Sequence, residues 1–155
     1  MYQIHLYVPK TGRLTPAMVS WLHTHGQDPN QPERYWPVRR LNPKPLARLL
    51  LRLDPTLIPS LAEDGVIELR YPHPSLDIVL RVHDRGVIIQ FPLVGSLLSR
   101  IVLGICYTYI RFLYDAAGFW SYDPQLRILS YADDFQSIEE TARLMDELLP
   151  KLISE

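Results

Sequence analysis

Hydrophobic and polar residues alternate at the start of the chain. Tyr2, Ile4 and Leu6 are separated by Gln3 and His5. A period of two is typical of a half-buried β-strand, because successive side chains of a strand point to opposite faces. We therefore predict a first strand that begins at residue 2.

The same alternation recurs in the middle of the chain, where short turns separate three apolar segments. Short connections favour antiparallel neighbours, so these segments indicate a β-meander. The turn at residues 83–86 places Val82 opposite Val87. The predicted strands span residues 66–71, 76–82 and 87–91.

The first pair of the meander also has a predicted register. If Tyr71 lies opposite Leu76, the apolar residues of both strands share one face of the sheet. Arg70 then lies opposite Asp77, and Ile78 points into the core. Charged residues occupy the other face, which we expect to be exposed to solvent.

Several segments have the 3.6-residue apolar period of α-helices. Thr15 with Pro16 and Asn42 with Pro43 are typical N-terminal pairs, and Gly118 ends a long third helix. The predicted helices span residues 16–25, 43–53, 95–117 and 137–149. The third helix is expected to turn one apolar stripe to the sheet: Leu98, Ile101, Val102, Ile105, Tyr109, Phe112 and Leu113.

Two short strands, at residues 119–123 and 127–130, complete the element order. Strands and helices in this order predict an α+β fold with an antiparallel sheet and helices packed on one face, near a ferredoxin-like sandwich. A length of 155 residues is that of one ordinary domain. We therefore predict a single domain over residues 1–155.

Composition points to a globular, soluble chain, since 47% of the residues are hydrophobic and 21% are charged. Cys106 is the one cysteine, so no internal disulfide forms, and the first residues lack the pattern of a secretory signal. The apolar run 101–110 is about half of the roughly 20 residues that cross a bilayer. We expect a cytoplasmic protein without a membrane span.

Charge is distributed unevenly, although the net charge is only −1. Residues 1–53 contain eight Lys or Arg and two acids, a balance of +6, and the remainder contains eight Lys or Arg and fifteen acids, a balance of −7. Two interpretations stay open. The basic part is a surface for a nucleic acid or for an acidic partner, or the two parts neutralise each other within the fold.

No catalytic, metal or cofactor site is predicted. The chain lacks glycine-rich nucleotide motifs, a nucleophile elbow and an H-E-x-x-H helix. His23 and His25 are two residues apart on a helix and so point in different directions, unless the helix frays beyond Leu22 and lets them converge. Cys106 lies inside an apolar helix, where its thiol is expected to be inert.

The segment from residue 34 to residue 40 mixes aromatic residues with arginines in a proline-rich loop. These residue types are enriched at binding hot spots. The predicted partner-binding residues are Arg34, Tyr35, Trp36, Arg39 and Arg40. An alternative stays open, in which Trp36 closes an edge of the core and the arginines are solvated.

A resemblance to a known group of proteins enters near residue 120. The long helix ends in Ala-Ala-Gly-Phe at 116–119, followed by Trp-Ser-Tyr-Asp-Pro-Gln at 120–125. This turn resembles one that recurs in small bacterial immunity proteins, which bind and neutralise a cognate toxin. The resemblance implies a protein partner and transfers no site residues. Immunity proteins that inhibit basic nucleases are strongly acidic, and the net charge of −1 departs from that pattern.

Three hypotheses follow for the function. The first is a non-enzymatic protein that binds another protein, as a toxin-neutralising immunity factor. The second is a nucleic-acid-binding module that uses the basic segment 34–52. The third is a small enzyme whose site is assembled from distant residues such as His83, Asp84 and Asp77.

Overall fold

A seven-stranded antiparallel sheet forms the centre of the protein, in the strand order β2-β3-β4-β5-β1-β6-β7. The computed structural model describes residues 1–92, 96–125, 127–130 and 143. The α+β class and the antiparallel sheet are confirmed, and the likeness to a ferredoxin-like sandwich is only approximate. In chain order the elements are β1 (Tyr2–Tyr7), α1 (Pro16–His25), α2 (Pro43–Leu53), β2 (Ile58–Leu61), β3 (Ile67–Arg70), β4 (Val79–His83), β5 (Gly86–Phe91), α3 (Ser96–Ala117), β6 (Trp120–Asp123) and β7 (Ile128–Ser130).

The main core lies between one face of this sheet and the helices α2 and α3. Leu6, Leu80 and Ile89 are fully buried on the sheet side. Leu50 and Cys106 are equally buried on the helix side. The alternation of the strand residues therefore gives this face its apolar character, as the sequence predicts.

A smaller cluster lies on the other face, where α1 and the loop that follows it pack. Thr15 caps α1 by accepting a hydrogen bond from the Met18 amide at 3.3 Å. Trp36 and Trp120 are buried in this cluster. Tyr7 packs against it from β1, one residue after the fully buried Leu6 of the main core.

The predicted β3–β4 register is wrong by two residues. The structure pairs Arg70 with Val79, not with Asp77, and the Tyr71 amide donates to the Ile78 carbonyl at 2.9 Å. Asp77 has a left-handed φ of 47°, so it belongs to the turn and not to the strand. A shift of two preserves the faces, so Ile78 is still fully buried. The Arg70 guanidinium still reaches the Asp77 carboxylate, at 2.6 Å. The predicted pair Val82 and Val87 is confirmed.

β2 is an element that the sequence pattern did not predict. All four of its residues are exposed at one edge of the sheet. The Ala62 amide donates to the Val66 carbonyl at 2.8 Å, which sets the β2–β3 register so that Pro59 turns its backbone away from β3. Proline has no N–H group, so this edge of the described sheet offers fewer donors to another strand.

The predicted stripe of α3 is partly wrong. Leu98 and Ile101 are 46% and 51% exposed. Apolar residues surround most of this helix, so the pattern alone does not select one face. From residue 98 onwards, where the burial of α3 is described, its buried residues are Ser99, Val102, Leu103, Cys106, Tyr109, Ile110 and Leu113.

The predicted last helix, 137–149, lies outside the described residues apart from residue 143. Within the part of the chain that the structure describes, no helix has both the length and the apolarity to cross a membrane.

Candidate functional site

The loop between α1 and α2, residues 26–42, contains the predicted partner-binding residues and is held by one arginine. Arg85 lies in the tight turn between β4 and β5, and 13% of its side chain is exposed. Its guanidinium lies 3.9 Å above the centre of the Trp36 ring and forms a two-point ion pair with the Glu33 carboxylate. Arg85 therefore fastens the loop to the sheet through a cation–π contact and a paired charge.

Glu33 is the second fixed point of this loop. Lys10 donates to the Glu33 backbone carbonyl at 2.7 Å, and its ammonium group lies 3.4 Å from the Glu33 carboxylate. Hydrogen bonds from Arg85, with a smaller effect of Lys10, lower the pKa of Glu33 to about 2. Two cations from different elements therefore hold one acid of the loop ionised.

Trp36 belongs to the core. Only 6% of its surface is exposed, and its ring meets the Trp21 ring edge-on at 5.1 Å. Its indole N–H donates to the Gln31 carbonyl at 3.2 Å. The structure thus places Trp36 in its alternative role, as a residue that closes the smaller cluster.

Tyr35, the preceding residue, faces solvent and is 54% exposed. It lies in a 3₁₀ turn, Glu33–Tyr35, whose backbone bonds run from Tyr35 N to the Pro32 carbonyl and from Trp36 N to the Glu33 carbonyl, at 3.0 and 3.2 Å. The Arg34 guanidinium stacks over the Tyr35 ring at 4.9 Å. An exposed aromatic ring is therefore presented from a backbone that is already fixed.

Arg39 and Arg40 do not join Tyr35 in a single site. Arg39 lines a groove of about 760 Å³ beside the end of α3, together with Lys10 and Tyr114. Arg40 lines a different cleft, where its guanidinium lies 3.9 Å from the Asp84 carboxylate. Of the five predicted residues, the structure brings only Arg34 and Tyr35 together at the surface.

The cleft that Arg40 lines has a volume of about 520 Å³ and separates the loop from the second face of the sheet. His83 is one of its wall residues. The Arg85 amide donates to His83 Nδ1 at 3.2 Å, so the ring proton of the neutral imidazole is on Nε2. Burial lowers the pKa of His83 to about 4. This imidazole is therefore uncharged at neutral pH.

His5 is the second imidazole of the cleft. Its Nε2 lies 3.1 Å from Gln3 Oε1, an acceptor, so its Nδ1 accepts from the Tyr7 hydroxyl, also at 3.1 Å. Burial lowers the pKa of His5 and raises the pKa of Tyr7 to about 12. These side chains form a neutral hydrogen-bonded chain and not a charged acid–base pair.

The catalytic grouping of the third hypothesis is not assembled. His83 and Asp84 line the cleft, but Asp77 pairs with Arg70 near the opposite end of β4 and is not among the residues that line it. Among the described residues, no group of three His, Cys, Asp or Glu side chains has the arrangement of a metal site. Cys106 is fully buried, which raises the pKa of its thiol.

The turn at residues 119–125 holds two strands of the sheet together. Asp123 is buried and accepts hydrogen bonds from the Tyr2 hydroxyl and from the Gln125 amide. The Gln125 side chain bonds both the amide and the carbonyl of Gln3, at 3.0 and 2.7 Å. The motif therefore fastens β1 to the end of β6.

Sequence reasoning missed Arg85, which organises the loop. Its main partner, Glu33, is 52 positions away in the chain, so no local spacing connects the two. Comparison with protein-family models, with curated proteins and with solved structures finds no match to this chain.

Proposed function

We propose that this protein acts by binding another protein, with Arg34 and Tyr35 at the centre of the contact. The observation that supports the proposal is the contrast between two neighbouring residues. Trp36 is buried and fastened by Arg85, whereas Tyr35 is 54% exposed on the same fixed turn. A large side chain is thus offered to solvent without an intramolecular role in the core.

The energetics of binding favour such an arrangement. Tyrosine and arginine are enriched among the residues that dominate protein–protein affinity. Ordering a mobile loop costs free energy on association, and a loop that is already fixed loses less. The backbone bonds of the turn and the contacts of Arg85 with Glu33 and Trp36 fix this loop before any partner arrives.

The charge around Tyr35 suggests the chemistry of the partner. Arg34 is exposed and has no ion pair in the described part of the chain. A guanidinium beside an aromatic ring fits a carboxylate next to an apolar side chain, because it forms two parallel hydrogen bonds with a carboxylate. The partner surface is accordingly acidic. The finer proposal is that the partner is a bacterial toxin and that binding neutralises it. The resemblance at residues 116–125 supports this finer proposal.

The experiment is site-specific photocrosslinking in native lysate. A photoreactive phenylalanine analogue replaces Tyr35 in one variant and Ile58 in the other. Ile58 is the matched control, because it is 55% exposed and lies on the edge strand β2. We expect one dominant protein adduct from position 35 and none of the same mass from position 58. The same adduct from both positions, or none from position 35, contradicts the proposal.

A second arm separates binding from folding. Tyr35→Ala is expected to remove the captured partner without changing the melting temperature, since exposed side chains contribute little to stability. Trp36→Ala is expected to destabilise the fold by about 3–5 kcal/mol, the usual cost of emptying a buried tryptophan site. Co-expression with the captured protein then tests the finer proposal, because an immunity factor restores the growth that its toxin prevents.

A further inference from the structure

A row of three cations lies along the exposed face of α2. Lys44, Arg48 and Arg52 occupy positions i, i+4 and i+8 of this helix, and all three are exposed. Residues four apart are neighbours on a helix surface. The row is therefore about 12 Å long, at 1.5 Å per residue. We refer to these three residues as the basic row.

The basic row is not neutralised by the rest of the described chain. The ion pairs of the described residues involve other cations, among them Lys10, Arg40 and Arg85. For α2, the described part of the chain therefore does not support the interpretation that acidic residues neutralise the basic segment within the fold. The segment 34–52 therefore has two parts, which are the end of the loop that Arg85 holds and the separate basic row on α2.

The row is unfavourable for the helix itself. Like charges at i and i+4 destabilise an α-helix, and the row contains two such pairs. Lys44 lies in the first turn, where the helix dipole disfavours a cation. Neither feature improves packing, because the buried residues of α2 are Leu46, Ala47 and Leu50. An anion bound along the row relieves both repulsions.

The surroundings of the row distinguish a nucleic acid from a protein. Protein interfaces need apolar or aromatic anchors at their centre and are depleted in lysine. None of the exposed large hydrophobic side chains of the described chain belongs to α2. A phosphate backbone is bound by charge alone, without such anchors. One strand of duplex DNA carries about three or four phosphates over the length of the row.

We propose that the basic row of α2 binds the phosphate backbone of a nucleic acid without reading its sequence. This site goes beyond the proposed protein-binding function and uses other residues, so the two succeed or fail separately. Three neutralised phosphates predict a slope of about −2.7 for log affinity against log salt with duplex DNA. Affinity then falls about 40-fold between 50 and 200 mM salt.

The test is fluorescence anisotropy with a labelled 20-base-pair DNA duplex and with a labelled single strand of the same length. The triple variant Lys44→Gln, Arg48→Gln, Arg52→Gln is expected to lose binding, and Arg48→Gln alone to reduce the slope by about 0.9. The control variant Arg13→Gln, Arg70→Gln, Arg127→Gln removes the same charge from exposed arginines elsewhere. It is expected to keep most of the affinity.

Stability provides an independent check, because removal of the like-charge pairs is expected to leave the melting temperature of the triple α2 variant equal to or above that of the wild type. No DNA binding at 50 mM salt overturns the proposal, as does equal loss in both triple variants. Poly-glutamate serves as the protein-like probe. If it binds through the row and DNA does not, the row recognises carboxylates and the proposal is wrong.

Discussion

Arg85→Met tests whether one side chain holds the loop at residues 26–42 in place. Methionine retains the apolar stem and removes the guanidinium, which lies 3.9 Å above the Trp36 ring and is largely buried. A desolvated cation–π contact contributes about 1–2 kcal/mol. The ion pair with Glu33 adds little, because that carboxylate is exposed to solvent and salt. We expect the free energy of unfolding to fall by about 1–2 kcal/mol.

The assay is urea unfolding followed by circular dichroism, with Arg70→Met as the matched control. Arg70 also makes an ion pair, with Asp77 at 2.6 Å, but half of its side chain is exposed and no ring contact of Arg70 is found among the described residues. The control is expected to cost less than about 0.5 kcal/mol. Equal losses from the two variants would refute the argument that Arg85 stabilises through burial and stacking.

The pH dependence of the free energy of unfolding, compared between wild type and Arg85→Met, gives a second check. The folded state lowers the pKa of Glu33 from 4.5 to about 2, mainly through hydrogen bonds from Arg85. A carboxyl group whose pKa is lower in the folded state stabilises the fold at pH values above its pKa in the unfolded chain. This stability is lost as the pH falls through the pKa of the folded state. Because the ion pair contributes only a small part of the difference in the free energy of unfolding between wild type and Arg85→Met, this difference should narrow slightly as the pH falls from 4.5 to 2. A difference that widens in this range would contradict the assignment.

Three further predictions concern the core and the hydrogen bond between Tyr2 and Asp123. Leu80→Ala should lower the free energy of unfolding in urea by about 2–5 kcal/mol, because Leu80 is fully buried. A loss below about 1 kcal/mol would show that this side chain is not packed in the core. Tyr2→Phe keeps the stack on Phe91 and removes the hydroxyl that donates to the Asp123 carboxylate, so we expect a loss of about 1.5–3 kcal/mol by the same method, and no loss would show that the bond is dispensable. Cys106 should not react with a thiol reagent until the protein unfolds, and rapid labelling of the native protein would contradict its burial.

Local patterns predicted most of the elements, because their causes are local. The alternation at residues 2–6 places β1, and Thr15 and Asn42 cap their helices as their side-chain chemistry predicts. The β4–β5 turn also follows the pattern, with Val82 opposite Val87. Each of these features depends on side chains within a few positions of one another.

The predictions were wrong where the structure depends on a single backbone conformation or on a distant contact. Asp77 adopts a left-handed conformation, which lengthens the turn and moves the β3–β4 pairing by two residues. The strand at residues 58–61 was not predicted, and Pro59 is tolerated in it because its backbone faces away from β3, at the outer edge of the described sheet. Neither outcome has a signal in hydrophobic spacing.

The candidate site was only partly accessible to sequence reasoning. The mixture of aromatic residues and arginines drew attention to the loop, but spacing does not tell which aromatic residue is buried. Trp36 is fastened by Trp21 and by Arg85, both from other elements. Arg39 and Arg40 are adjacent in sequence and line different clefts. These arrangements are tertiary and follow from long-range contacts.

Isothermal titration calorimetry with the captured partner tests the central claim most directly. Tyr35 is expected to be a hot spot, so Tyr35→Ala should weaken the affinity by at least about 2 kcal/mol, or roughly 30-fold. Ile58→Ala, which truncates a comparably exposed side chain on β2, should leave the affinity unchanged. Unchanged affinity of Tyr35→Ala, or an equal loss from Ile58→Ala, would contradict the claim that the exposed tyrosine of the fixed loop binds the partner.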